Sequence, residues 1–234
     1  MTRFVLRMLW RDSRASWPRL TLFLLCIAAG VGGLVAVQGF RSSLDRAIQA
    51  DARTLMAADL VVRNGRPLGP LELAAVAPLE RAGARVARSA EFLTMARSPT
   101  NGQVLLVDAR SVSAGYPLYG QVLLREDAPL RALLRDDTVV VQTGLLVHLG
   151  LHVGDSLQLG GKTFHIAGEL LKEPDSPVAL ASVGPRVLMT ERGGEETGLI
   201  SASSRVRYGL MLRLPPGMDV QAAARALRGR LAGS

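Results

Sequence analysis

Residues Leu20 to Phe40 run for 21 positions without a charge, and the chain ahead of them carries Arg3, Arg7, Arg11, Arg14 and Arg19 against the single acid Asp12. An α-helix needs about 20 apolar residues to cross the hydrocarbon core of a bilayer, and basic residues beside a first helix hold that end in the cytoplasm. The sequence therefore predicts a cytoplasmic basic segment over 1–19, a transmembrane helix over 20–40, and a chain that lies outside the cytoplasm after Phe40. A cleaved signal peptide has an apolar region of about 7 to 15 residues ending at a small-x-small site. This run is longer, and Ala36-Val37-Gln38 is a poor match to such a site. A helix of a soluble core would show a polar face, and none interrupts the run.

Ala28, Gly32 and Ala36 recur at every fourth residue of the span, so one helix face is lined with small side chains. In lipid there is no hydrophobic drive between helices, and such a face permits close backbone packing. Gly and Ala are also simply frequent in membrane helices, so the face admits both readings.

The residues beyond the span are numerous enough to bury a real core, as one domain or two small lobes. Hydrophobic residues make up 48% of the chain and aromatics 4%, which suits an aliphatic Leu/Val/Ala core. Of the net charge of +8, half lies in residues 1–40, where it serves topology. The remaining basic residues are dispersed arginines with lysines only at 162 and 172, and no aromatics are interleaved for base stacking, so nucleic acid is excluded as a partner class. Cys26, the single cysteine, sits inside the span, so core packing rather than a disulfide must hold the domain.

After the membrane, Leu44, Ile48, Leu55 and Met56 recur among polar residues as the apolar stripe of a stalk helix over 41–58. The pattern then predicts a strand at Asp59 to Arg63, a turn at Asn64-Gly65, a helix from Leu71 to Ala82 ended by Gly83, and strands over Ala84 to Arg97 and Gln103 to Arg110. The turn signal Pro99-Thr100-Asn101-Gly102 pairs those two strands as a hairpin. Thr138 to Gln142 reads as a strand followed by a short helix through Leu149, and Ser156 to Leu170 as a hairpin around Gly160-Gly161. Arg186 to Thr190 is a short strand, 191–204 a polar loop, Arg205 to Leu214 a strand, and Val220 to Leu231 a helix. The order β-α-β-β, a β-rich middle and a final β-α predicts two lobes, the second inserted into the first.

Three motifs invite a chemical reading. Gly154-Asp155-Ser156-Leu157 spells the nucleophile box of one class of serine esterases, but that class takes its base from a His near the carboxyl terminus and none follows His165. Gly161-Lys162-Thr163 resembles the end of a phosphate loop, yet Ser156 stands where a glycine is needed and a strand pattern follows in place of a helix. His148 and His152 have the i, i+4 spacing of metal ligands, but Gly150 interrupts the helix between them. The expectation is therefore no catalytic, metal or cofactor site on this chain.

The stretch from Gly144 to Glu169 combines a helix ending in Leu149-Gly150-Leu151, the turn Val153-Gly154-Asp155, a Gly160-Gly161 hairpin and the strand Ile166-Ala167-Gly168. It resembles the signature of the periplasmic core domain in FtsX-like ABC transporter permeases. Tyr116-Pro117-Leu118-Tyr119-Gly120, Glu173-Pro174-Asp175-Ser176 and Pro185-Arg186-Val187-Leu188-Met189, in that order, are similar to the YbbP-like branch of that family.

The resemblance implies an α+β fold: a MacB-type periplasmic core domain over 59–234, with a β-rich insert at roughly 113–204. It also implies a bacterial inner membrane location and a cytoplasmic ABC ATPase partner that binds the ATP. A second permease copy or a paired permease would share the bilayer. The implied function is to couple that ATPase to export or extraction of a hydrophobic, lipid-linked or peptide substrate. On this reading Leu44, Ile48, Leu55 and Met56 pack the stalk, while Tyr116, Tyr119, Glu173, Pro174 and Asp175 shape the junction between lobes. Family members carry further membrane helices after the core domain, and this chain ends at Ser234, so it resembles the first helix and periplasmic part of a permease. The alternative is a single-span, membrane-anchored periplasmic binding or scaffold module that acts without an ATPase.

Overall fold

The computed structural model describes residues 21–22, 24–33, 35, 37–39, 58–175, 184–200 and 205–232. The chain forms two units, Met1–Asp51 and Ala52–Ser234. In the first, residues 24–33 are α-helical and exposed, and Ala28 and Gly32 stand one turn apart on that helix. Among the described residues no helix is long and apolar enough to cross a membrane. Ala36 and the stalk positions Leu44, Ile48, Leu55 and Met56 lie outside the described residues.

In the second unit the strands are β1 Leu60–Asn64, β2 Arg85–Arg97, β3 Val104–Val112, β4 Leu123–Leu124, β5 Thr138–Gln142, β6 Ser156–Leu159, β7 Lys162–Lys172, β8 Arg186–Thr190 and β9 Arg207–Arg213. The helices are α1 Pro70–Arg81, α2 Leu130–Leu133, α3 Thr143–Leu149, α4 Glu191–Glu196 and α5 Val220–Ala232. Among the described residues these nine strands belong to one sheet. β2 pairs with β3, β3 with β8, β8 with β5, β5 with β7, β7 with β6, and β6 returns to β2, so these strands close into a ring.

The length of β2 makes this possible. Its first half, Arg85 to Glu91, pairs with β9 and through it with β1, whereas Ala96 and Arg97 at its far end pair with β6. One strand thus serves both an open sheet and a closed ring. The ring encloses a core of Phe92, Val107, Val139, Val141, Leu157, Leu159, Phe164, Ile166, Val187 and Met189, to which α3 adds Leu145 and Leu149. Each such side chain contributes about 1.5–3 kcal/mol by leaving water. The period of two then assigns Val140 and Leu188, between those inward residues, to a second core on the opposite face. The segment 113–134 covers this second core with Tyr116, Leu118 and Leu130. On β1 and β9 the opposite face is covered by α1 and α5, with Ala75, Val76, Leu210, Leu212 and Leu227 buried between them.

The local expectations are met at most elements: β5 and β8 have the predicted bounds, and α1, α3 and α5 fall within a residue or so of theirs. Gly150 ends α3 at φ 60°, in the left-handed region that favours glycine. Gly160 turns the β6–β7 hairpin at φ 56°, and a Cβ there would lie 2.5 Å from the Thr197 carbonyl oxygen.

One local expectation is corrected. The polar loop predicted from residue 191 begins instead with α4, capped by the Thr190 hydroxyl, which accepts from the Gly193 amide at 2.9 Å. Gly193 and Gly194 let this helix lie close, since a Cβ at Gly194 would sit 2.8 Å from Ser111 Cβ. The segment 113–204 is rich in strands as expected, but they do not form a sheet of their own. Parallel pairing of β3 with β8 and antiparallel pairing of β2 with β6 join them to β1, β2, β3 and β9 in one continuous sheet.

Candidate functional site

The register of the sheet builds a row of charges on its outward face. Arg207 of β9 faces Glu91 of β2, Glu91 faces Arg110 of β3, and Asp108 of β3 faces Arg186 of β8. Cross-strand partners of opposite charge are the sheet counterpart of i, i+4 helix pairs. Here the row is roofed over: the turn that carries β7 outward brings Glu173 and Asp175, and the segment after β3 brings Tyr116.

Arg110 stands at the centre, 4% exposed. Its Nη2 donates to Asp175 Oδ2 at 2.5 Å, and its Nη1 donates to the Tyr116 hydroxyl at 3.3 Å and lies 3.6 Å from Glu173 Oε1. The Nε is 3.3 Å from Glu91 Oε1, and the guanidinium carbon lies 4.8 Å from the centre of the Tyr116 ring, a cation–π distance. The Tyr116 hydroxyl in turn donates to Asp175 Oδ1 at 2.6 Å. Arg186 bridges two carboxylates, 3.1 Å from Asp108 Oδ2 and 3.1 Å from Glu173 Oε2.

The buried Arg110 and the half-buried Arg186 thus face the buried carboxylates of Asp108 and Glu173 and the half-buried carboxylate of Asp175. Burial raises the pKa of Glu173, against the opposing charges of Arg110 and Arg186. Asp108 is likewise pushed up, chiefly by burial. Burial acts in the same sense on Asp175, but there the hydrogen bond and charge of Arg110 outweigh it and hold the carboxyl below the ordinary Asp value. The Tyr116 phenol is driven well above its usual value by burial. Asp108 Oδ1, Arg110 Nε, Glu173 Oε1 and Arg186 Nη1 form no hydrogen bond among the described residues. The arrangement fastens three chain segments together, and its central groups are held in place by charge rather than exposed for chemistry.

Of the residues singled out in the sequence, Tyr116, Glu173 and Asp175 meet around Arg110. Tyr119 engages a different set: its hydroxyl donates to Asp59 Oδ2 at 2.7 Å, and Arg213 lies over its ring at 4.5 Å. Pro174 packs on Gly120, where an added Cβ would fall 2.8 Å from Pro174 Cβ. Beside these residues runs an open groove of about 520 Å³, bordered by Tyr116, Pro117, Leu123, Glu126 and Arg131. Arg110, Arg186, Asp108 and Glu91 were not anticipated. The available signal was charge inside strand patterns, above all Asp108 and Arg110 at alternate positions of β3.

The tempting motifs resolve into structure. Ser156 opens β6 and faces His165 across the hairpin, yet no hydrogen bond joins them among the described residues. Lys162 begins β7, its Nζ donating to the Asp136 carbonyl at 2.5 Å and lying over the Phe164 ring. His148 contacts the Gly144 carbonyl within α3, and His152 lies beyond the helix end, 3.7 Å from Asp155. No metal-binding cluster is present among the described residues.

Residues 20–230 match the model of the MacB-like periplasmic core domain. The chain belongs to that family. The uncharacterized ABC transporter permease YbbP of Escherichia coli K12 is 27% identical over 206 residues, covering 87% of this chain and 24% of that protein. The chain thus spans about a quarter of the length of this relative. The periplasmic region of MacB from Actinobacillus actinomycetemcomitans is similar in structure, with a TM-score of 0.50 at 8% identity over 79% of this chain and 89% of that one. The extracellular domain of the ABC-type transporter YknZ from Gram-positive bacteria has a TM-score of 0.48 at 10% identity, over 74% of this chain and 95% of that one. The mixed α+β fold of the MacB-like core domain, with its large sheet, agrees with the class read from the sequence.

Proposed function

We propose that this chain couples a cytoplasmic ABC ATPase to movement of its extracytoplasmic domain, as the amino-terminal membrane helix and periplasmic core of an inner-membrane permease. The observation that carries the reading is the family match over 20–230, which takes in the uncharged run and the whole folded unit together. On this reading ATP is bound and hydrolysed on the partner subunit, and no covalent chemistry occurs on this chain. The transported or extracted molecule is hydrophobic, lipid-linked or peptide, and the permease works with a second copy or a paired permease. The closed ring of strands supports a coupling role, because a core packed at crystal-like density transmits a displacement with little internal yielding. The Arg110 network adds to this by fastening the turn after β7 to β3 and β8.

The test is affinity purification of the chromosomally tagged protein from membranes, read by ATPase activity and by the mass of the tagged product. Co-purification of a nucleotide-hydrolysing subunit is the expected result. A product of this chain's own mass, with no such subunit, would overturn the proposal in favour of an anchored periplasmic module. Replacing Ile48 and Leu55 by Asp should lower transport-linked ATPase activity several-fold by placing charge on the stalk's apolar stripe. Unchanged activity would remove the stalk from the coupling route.

A further inference from the structure

The sheet ends at β4, whose one ladder partner among the described residues is β7. The open groove of about 520 Å³ lies on the other flank of β4: Gln121, Val122, Leu123 and Leu124 border it, and no residue of β7 does. Gly120 and Gln121 are exposed, and Leu123 is 50% exposed. From Gly120 to Leu124 the backbone makes no hydrogen bond among the described residues other than those of the β7 ladder. Each of these residues carries a main-chain donor and acceptor, and an unpaired row of such groups at a sheet edge is a template for another strand.

We propose that the groove beside β4 docks an extended segment of a partner polypeptide, which adds to the sheet as a further strand. The rest of the lining fits this occupant. Pro117 and Leu130 give the groove apolar surface, while Asp127 and Arg131, which form no ion pair among the described residues, offer both signs of charge. A strand pairs its backbone with the open edge and turns alternate side chains toward the groove. The volume lies within the range of about 300–1,000 Å³ common to ligand clefts.

Other occupants fit less well. An acyl chain satisfies neither the exposed amides nor the charges, and burying them beneath it would be unfavourable. The edge of a second sheet is too broad, because β4 is two residues long and forms part of a groove wall. The groove is open rather than enclosed, so a segment can enter from the side as part of a longer chain. This assignment goes beyond coupling to an ATPase and does not rest on it.

The test is hydrogen exchange of the full chain in detergent, read by mass spectrometry with and without a peptide pool at about 1 mM. The peptides, of about ten residues, alternate Val, Leu, Ile or Phe with Thr and end in Lys. Acetylated and amidated ends make them resemble an internal segment. Slower exchange over residues 120–124, with the rest of the sheet unchanged, is the expected result. Unchanged exchange there would overturn the proposal. So would equal protection by a lysophospholipid in place of the peptides, since an acyl chain forms no ladder. Gln121→Pro removes an amide that the β7 ladder does not use, and should weaken binding of the pool about three- to tenfold, the worth of one backbone hydrogen bond. Gln121→Ala should leave binding as it is, and equal affinities for the two variants would count against strand addition. Neither measurement involves an ATPase, so the coupling reading and this one succeed or fail separately.

Discussion

At the residue scale the chain's most consequential side chain is Arg110. It lies on a strand whose inward neighbours Ala109 and Val107 fill the ring, and that alternation turns Arg110 to the opposite face. The position would be costly for an isolated charge. Asp175, Tyr116, Glu173 and Glu91 offset the cost by surrounding the guanidinium on several sides. Arg110→Met removes the cation and strands the carboxylates of Asp175 and Glu173 in the interior. The expected loss is about 3–5 kcal/mol in urea unfolding, the range for breaking one partner out of a buried pair. Arg110→Met combined with Asp175→Asn should recover part of that loss, and no recovery would show that the pair does not interact.

At the element scale, α4 shows how little intrinsic propensity is needed when tertiary contacts supply the rest. Its sequence Glu191-Arg192-Gly193-Gly194-Glu195-Glu196 contains two glycines, each less favourable than Ala in a helix by about 0.8–1 kcal/mol. Gly194 instead permits close approach to Ser111 on β3, and Gly193 to Asp136 and Phe164. The Thr190 hydroxyl accepts from Gly193 and also donates to Asp136 at 2.8 Å, tying the helix start to the loop before β5. Thr190→Ala should cost about 1 kcal/mol and raise hydrogen exchange in α4 before any other helix. Uniform exchange across the helices would mean that the cap is redundant.

At the scale of the whole molecule, the ring of strands makes the domain's stability collective. β2 and β7 each pair along different parts of their length with different neighbours, so losing one strand opens the sheet at two places. Phe164, on β7 and fully buried in the ring's core, is the most sensitive point. Phe164→Ala should cost about 3–5 kcal/mol, with fluorescence and circular dichroism of the unit Ala52–Ser234 changing in one transition. Two separated transitions would instead indicate that the β1–β9 sheet and the ring unfold independently.

Most of the individual elements could be read in the sequence because their causes are local. Alternation over Thr138 to Gln142, the Pro99 to Gly102 turn, the Gly160-Gly161 hairpin and the apolar stripe of Val220 to Leu231 each depend on residues a few positions apart. The same holds for Tyr116, Glu173 and Asp175, picked out as candidates through short phrases that resemble those of a known family. Their partner Arg110 could not be found in this way. It lies 65 residues from Asp175 in sequence, and only the register of β3 against β2 and β8 brings Glu91, Asp108 and Arg186 around it.

What the sequence determined by itself was therefore the alphabet of the molecule: an uncharged run of membrane length, the strands and helices after it, an aliphatic core and a family. Periodicity, turn chemistry and composition act over one element at a time, and these features need nothing more. Only the tertiary structure decided that the inserted strands share one sheet with the rest, that β6 closes a ring against β2, and that Arg110 and Arg186 meet the carboxylates of Asp108, Glu173 and Asp175. Those outcomes depend on backbone pairing between distant segments, and hydrogen bonds of that kind are made by every residue alike and so leave no trace in residue identity.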